Sequence, residues 1–121
     1  MKETKTYTGM LNLRDPGEAM DILYVSSIDR PLAEVLADEI SGRTVSVRYW
    51  VTDKEVSKDA AAECFIGRLM GQADCEFMSW YSEVTGYLWT DENIKIGGHD
   101  LLAELQSYVG RYLILEVDLY D

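Results

Sequence analysis

The sequence predicts a single α+β domain spanning residues 1–121. It would hold a mixed, mainly antiparallel sheet of about five to six strands and three helices in the order β-β-α-β-α-β-β-α-β. Three observations predict this. Strand-like runs come in adjacent pairs, which argues against a doubly wound parallel fold. Runs of helical period interrupt them, which argues against a pure sandwich. The chain has 121 residues and 47% apolar content, enough for one domain with a real core and no staples. A partly closed β-barrel with helices is the alternative.

Residues 6–13 alternate as a strand, with Tyr7, Gly9, Leu11 and Leu13 on one face. Asp15-Pro16-Gly17 is a turn signal. The run from Ala19 to Ile28 is strand-like at Ile22–Val25, and the two strands fit a hairpin. Pro31 suits a first helical turn, where its missing N–H costs nothing; Leu32, Val35, Leu36 and Ile40 follow at helical spacing, and Gly42 stops the helix. Arg43–Val51 is a strand, with Val45, Val47, Tyr49 and Val51 alternating against polar residues and Trp50.

Ser57 is a cap for a second helix with the apolar stripe Ala62, Phe65, Ile66, Leu69 and Met70, ended by Gly71. Ala73–Trp89 reads as two aromatic strands with a turn or bulge at Thr85-Gly86, and Thr90–Asn93 as a loop. Ile94-Lys95-Ile96 is a short apolar piece before Gly97-Gly98. A third helix starts near His99 or Asp100, with Leu101, Leu102, Leu105 and Val109 facing the core and Gly110 closing it. Residues 111–119 alternate: Leu113, Leu115, Val117 and Leu119 on one face, and Tyr112, Ile114, Glu116 and Asp118 on the other, which is expected to be solvated.

Charge is the chain's most uneven property. Net charge is −11, and residues 69–121 carry ten acidic residues against Lys95 and Arg111 alone. Such a field repels nucleic acid and membrane surfaces and attracts basic proteins and cations. No apolar run of membrane-spanning length is present and the first residues are polar, so a cytoplasmic protein is expected. Cys64 and Cys75 are expected to be buried thiols, since no zinc spacing links them with His99.

No catalytic signature accompanies the charge. His99-Asp100 after two glycines is a candidate for chemistry, but neighbouring helix residues do not face each other, and Asp100 suits the helix N-terminus better. Gly97-Gly98 lacks the residues of a phosphate loop. Asp91 and Glu92 do not match a calcium loop. No metal, cofactor or catalytic residue is therefore expected. Most of Trp80, Tyr81, Tyr87 and Trp89 are expected to pack in the core, and one left exposed beside the acids suits an anchor for a protein partner that carries Arg.

Thr85-Gly86-Tyr87-Leu88-Trp89-Thr90-Asp91-Glu92, then Gly97-Gly98-His99-Asp100-Leu101-Leu102-Ala103-Glu104-Leu105, together with Arg48-Tyr49-Trp50-Val51, resembles small uncharacterised proteins encoded by phages, prophages and other mobile elements. The resemblance spans most of residues 43–121 and implies no enzyme activity and no site residues. It implies a setting in which small acidic proteins bind host proteins, among them inhibitors of restriction and CRISPR systems that mimic DNA.

The leading expectation is a non-enzymatic acidic binding protein, in its concrete form an anti-defence inhibitor or DNA mimic, that binds a basic host protein rather than nucleic acid or membrane. Its candidate contact residues are Asp74, Glu76, Trp89, Asp91, Glu92, Glu116 and Asp118. Two alternatives stand beside it: a small ligand-binding domain or enzyme centred on Gly97, Gly98, His99 and Asp100, and a phage assembly or structural module.

Overall fold

The structure is a computed structural model that describes residues 3–14 and 22–120; the expected turn at Asp15-Pro16-Gly17 lies outside them. Alternating residues give β1 (Glu3–Arg14), which pairs antiparallel with β2 (Ile22–Val25), so the expected hairpin is present. Pro31 stands immediately before α1 (Leu32–Ile40), whose buried residues are Leu32, Ala33, Leu36 and Ile40. Gly42 turns the chain with a positive φ of 79° into β3 (Thr44–Thr52).

The last strand, β7 (Tyr112–Tyr120), inserts between β1 and β3 and pairs antiparallel with both. Leu113, Leu115, Val117 and Leu119 join α1 and the second helix in the main core. Tyr112 and Ile114, on the opposite face, form a smaller core with Trp50 and Ala61. Both helices contribute to the main core, so they cover one face of the sheet, called here the helix face.

The helix expected over residues 57–71 does not form. Ser57 Oγ accepts from the Ala60 N–H at 3.3 Å, and a short 3₁₀ turn, Ala62–Cys64, leads straight into β4 (Phe65–Tyr81), a strand of 17 residues. The apolar residues of this stretch follow a helical period, but β3 needs a partner on its free edge, so long-range pairing overrides the local pattern. The supposed stripe is largely exposed: Phe65, Ile66 and Met70 all face outward. Gly67 serves close packing, since a Cβ there would sit 3.3 Å from the Tyr49 hydroxyl.

Residues 90–93, expected as a loop, belong to β5 (Leu88–Ile96). Their polar character conceals an alternation in which Asp91 is exposed and Thr90 is buried. Gly97-Gly98 links β5 to the two-residue strand β6 (His99–Asp100), with φ values of 57° and 87°. Positive φ at both positions is the requirement of a two-residue type I′ hairpin turn. Helix α2 (Leu101–Gln106) follows, capped by Asp100 as expected: its Oδ1 accepts from the Ala103 N–H at 3.1 Å. Val109 lies beyond the helix and is exposed, against the expectation that it faces the core.

The sheet order is β2-β1-β7-β3-β4-β5-β6, and every ladder among the described residues is antiparallel. The α+β class holds, with seven strands and two α-helices among the described residues in place of the expected five to six strands and three helices. The sheet is open, because the end strands β2 and β6 do not pair. The ladder of β3 with β4 ends at Thr44–Gln72, whereas β4 pairs with β5 from Ala73 to Tyr81. The second half of β4 therefore forms a two-stranded arm with β5. Phe77 and Cys75 pack its root on the main core, and the chain reverses at Ser82–Tyr87, where the Ser82 N–H donates to the Tyr87 carbonyl at 2.9 Å.

The two turn glycines provide a test of this packing. A Cβ on Gly97 would lie 2.2 Å from the Met70 carbonyl oxygen, whereas one on Gly98 meets nothing within 4 Å. Gly98→Ala is expected to cost about 1 kcal/mol, the backbone penalty alone. Gly97→Ala is expected to cost more than about 3 kcal/mol, because β5 must move off β4. Urea unfolding of both variants measures the difference.

Candidate functional site

Seven residues are candidates from sequence, and the structure separates them into three groups. Strand alternation places Asp74, Glu76, Trp89 and Asp91 on the face of the arm turned away from the helices. On this open face Asp74 stands opposite Lys95, Glu76 opposite Asn93, Met78 opposite Asp91 and Trp80 opposite Trp89. Glu92 lies on the other face. Glu116 and Asp118 lie in the middle of the sheet and are buried, at 6% and 4% exposure, so their face is not the solvated one expected.

The burial of Glu116 and Asp118 follows from the position of β7, whose open face is covered by neighbours. The Lys58 ammonium donates to Glu116 Oε2 at 2.6 Å and stands 5.3 Å over the Trp50 ring. Arg48, directly opposite Glu116 on β3, donates from Nη2 to both Asp118 oxygens at 3.3 and 3.2 Å. The Thr4 hydroxyl donates to Asp118 Oδ1 at 2.6 Å. Glu116 Oε1 is 3.1 Å from Arg48 Nη2, an electrostatic contact that lacks hydrogen-bond geometry. Two cations and a hydroxyl thus hold two carboxylates within the sheet. These acids are bound internally and leave the outward negative field.

Glu92 has a different task. Its Oε2 accepts the Leu23 N–H of β2 at 3.4 Å, so a β5 side chain reaches the strand at the far end of the sheet order. Among the described residues its Oε1 is buried without a hydrogen-bond partner. Burial pushes the Glu92 carboxyl above its ordinary value, and the Leu23 N–H opposes this in part.

The arm has the opposite character. From Glu76 to Glu92 there are four carboxylates, five aromatic residues and no Lys or Arg. Met78, Trp80, Tyr81, Val84 and Tyr87 are exposed, Tyr81 at 64% and Val84 at 96%. The Trp89 indole N–H donates to Thr85 Oγ1 at 3.2 Å, which fixes one ring against the turn. Core packing expected for most of the aromatic set is not found, since Trp80, Tyr81 and Tyr87 are exposed where the two-stranded arm has nothing to cover them, and Met78 and Val84 were not foreseen. The signal for them was the absence of Lys and Arg across an alternating aromatic run.

His99 is exposed and lines a shallow depression with Leu69, Asp100, Ala103, Glu104 and Ser107. The Asp100 carboxylate there is engaged in capping α2, and Gly97 and Gly98 serve the hairpin turn. Tyr49 donates to Glu104 Oε2 at 3.2 Å, and burial followed by the Glu104 charge pushes its hydroxyl up to about 12. Cys64 is exposed, against the expectation of burial, because its helix is absent. Cys75 is half-buried, and burial pushes its thiol up to about 11. Among the described residues no group of three or more His, Cys, Asp and Glu side chains is arranged to hold a metal ion. No described helix is long and apolar enough to cross a membrane.

No protein-family model matches the chain, and neither a curated protein nor a solved structure does.

Two predictions follow from the buried acids. Arg48→Met leaves two buried carboxylates short of a cation and is expected to cost about 3 kcal/mol in urea unfolding. Arg68→Met, its exposed cross-strand neighbour, is expected to cost less than about 1 kcal/mol. Glu92 binds its proton more tightly in the folded chain than in the unfolded one. Its effect on stability is therefore a loss as pH rises from the ordinary value of 4.5 through the raised folded value, and no further change above it. Glu92→Gln is expected to flatten that part of the urea midpoint against pH curve and to raise the midpoint at neutral pH.

Proposed function

We propose that the protein is a non-enzymatic binding module whose β4–β5 arm engages a basic surface of a partner protein. One observation carries this reading. The arm combines exposed Met78, Trp80, Tyr81, Val84 and Tyr87 with the exposed carboxylates of Glu76, Glu83 and Asp91. Monomeric proteins seldom concentrate this many exposed large apolar side chains in one short segment unless something covers them. Aromatic anchors beside charged groups are the usual composition of an interface centre and its rim. Neither nucleic acid nor a membrane surface suits a segment with four carboxylates and no cation.

Of the seven candidate contacts, Asp74, Glu76, Trp89 and Asp91 belong to this reading, and Glu92, Glu116 and Asp118 do not. Mimicry of DNA asks for a row of outward carboxylates at phosphate-like spacing. The acids available to it are those of the arm and its root, so the host-protein inhibitor of a mobile element is a narrower form of the same proposal.

Charge reversal at Glu76 and Asp91 with Trp80→Ser is expected to weaken partner binding by more than about tenfold and to reduce its dependence on salt. Asp59→Lys with Glu63→Lys makes the same charge change at exposed positions off the arm and is expected to leave most of the affinity. Affinity capture from lysate at low and high salt, followed by titration of the captured protein, measures both. Equal losses in the two variants would refer the binding to the overall field and sink the arm.

A further inference from the structure

Twice the molecule places a cation of its own against an aromatic ring and a carboxylate together. Lys58 stands 5.3 Å over Trp50 and 2.6 Å from Glu116. Arg14 stands 4.5 Å over Tyr24 and 3.6 Å from Asp29. The open face of the arm repeats two parts of this arrangement without the third. Trp80 and Trp89 are directly opposite each other, the next rung pairs Met78 with Asp91, and the one after pairs Glu76 with Asn93. Among the described residues neither Glu76 nor Asp91 has an ion-pair partner.

We infer that a partner supplies the missing cation, and that it does so as an extended polypeptide segment carrying arginine at alternate positions. The inference rests on the arm being the binding surface, as proposed above, and adds the chemistry of its occupant. Arginine fits better than lysine for a geometric reason. A planar guanidinium can lie over an indole and still present its N–H edge to a carboxylate, whereas an ammonium is a compact point charge. Asp91 is two residues from Trp89 on the same strand face, so one guanidinium reaches both. Glu76 lies diagonally across from Asp91, within roughly 7–8 Å. Successive side chains on one face of an extended chain are separated by about 6.6 Å, twice the rise per residue. An arginine two positions along the partner therefore falls near Glu76, with its methylenes over Met78.

The test uses two synthetic peptides, one of alternating arginine and glycine and one of alternating lysine and glycine, added to the full chain and followed by the indole N–H signals of the three tryptophans. The arginine peptide is expected to shift Trp80 and Trp89 and to leave the buried Trp50 in place. It is expected to bind about threefold more tightly than the lysine peptide. Glu76→Gln with Asp91→Asn is expected to weaken it about fivefold, and Asp59→Asn with Glu63→Gln to change it little. Trp80→Leu should remove the preference for arginine while retaining binding to both peptides, and the dispersion of the remaining signals reports that the variant is folded. Equal affinity for the two peptides, still lost in Glu76→Gln with Asp91→Asn, overturns the arginine segment and leaves a basic partner standing. Failure of both peptides to shift Trp80 and Trp89 overturns both.

Discussion

The position of β7 is the constraint on which the other elements depend. The last described strand takes the third place among seven, between β1 and β3. Both of its faces are consequently buried, and eight of its nine residues are. The apolar alternation Leu113, Leu115, Val117 and Leu119 faces the helices and holds α1 and α2 against the sheet. The other face must contain Glu116 and Asp118, and buried charges are tolerated only when paired and hydrogen-bonded. That requirement explains why Arg48 stands directly across on β3, why Thr4 donates from β1, and why the segment carrying Lys58 folds back over the open face. Hydrophobic burial on one side and charge neutralisation on the other thus join three strands and a loop into one unit.

This arrangement also sorts the acidic residues. An acid on a central strand has to be neutralised from within, and one at a helix start is occupied by backbone N–H groups, as Asp100 is. Glu92 meets a buried edge N–H of β2 and is held above its ordinary value by burial. Among the acids carried by strands, those without such tasks remain where the sheet has only two strands. The arm is that place, and it is also where aromatic side chains stay uncovered, because among the described residues the two-stranded ribbon beyond its root has no further strand beside it and its open face is turned away from the helices. The same geometric fact, β4 outrunning β3 by nine residues, therefore accounts for both the exposed rings and the unpaired carboxylates.

Much of the fold was legible from period and punctuation. The first hairpin, α1 after Pro31, the alternation of β3 and β7, and the Asp100 cap all follow from local patterns that the tertiary structure keeps. The largest miss, a helix over residues 57–71, arose where Ala62, Phe65, Ile66, Leu69 and Met70 follow a helical period that the strand overrides. The deciding factor was the free edge of β3, which is a property of distant residues. The loop expected at Thr90–Asn93 failed for a related reason: polar residues that favour turns in isolation are stable in a strand when a long partner pairs with each of them. Strand order was beyond local reading, and with it the burial of Glu116 and Asp118. An alternating polar face looks the same at an edge and at the centre, and only the neighbours distinguish them.

The charge imbalance therefore weighs less, and says more, than the count suggests. A net of −11 spread over a surface serves solubility and steers association from a distance. Short-range recognition requires carboxylates that are exposed, unpaired and fixed next to something that excludes water. Asp59 and Glu63 are exposed acids without ring neighbours on a strand face, and Glu116 has a ring-bound cation but no exposure. Glu76 and Asp91 have exposure, rigid backbone pairing and indoles one or two rungs away. Rigid pairing matters because a partner meeting a preformed ladder loses less freedom than one meeting a loose loop. On the proposed reading, specificity is concentrated where the sheet is thinnest, while the charge of the sheet centre serves to join β7 to its neighbours.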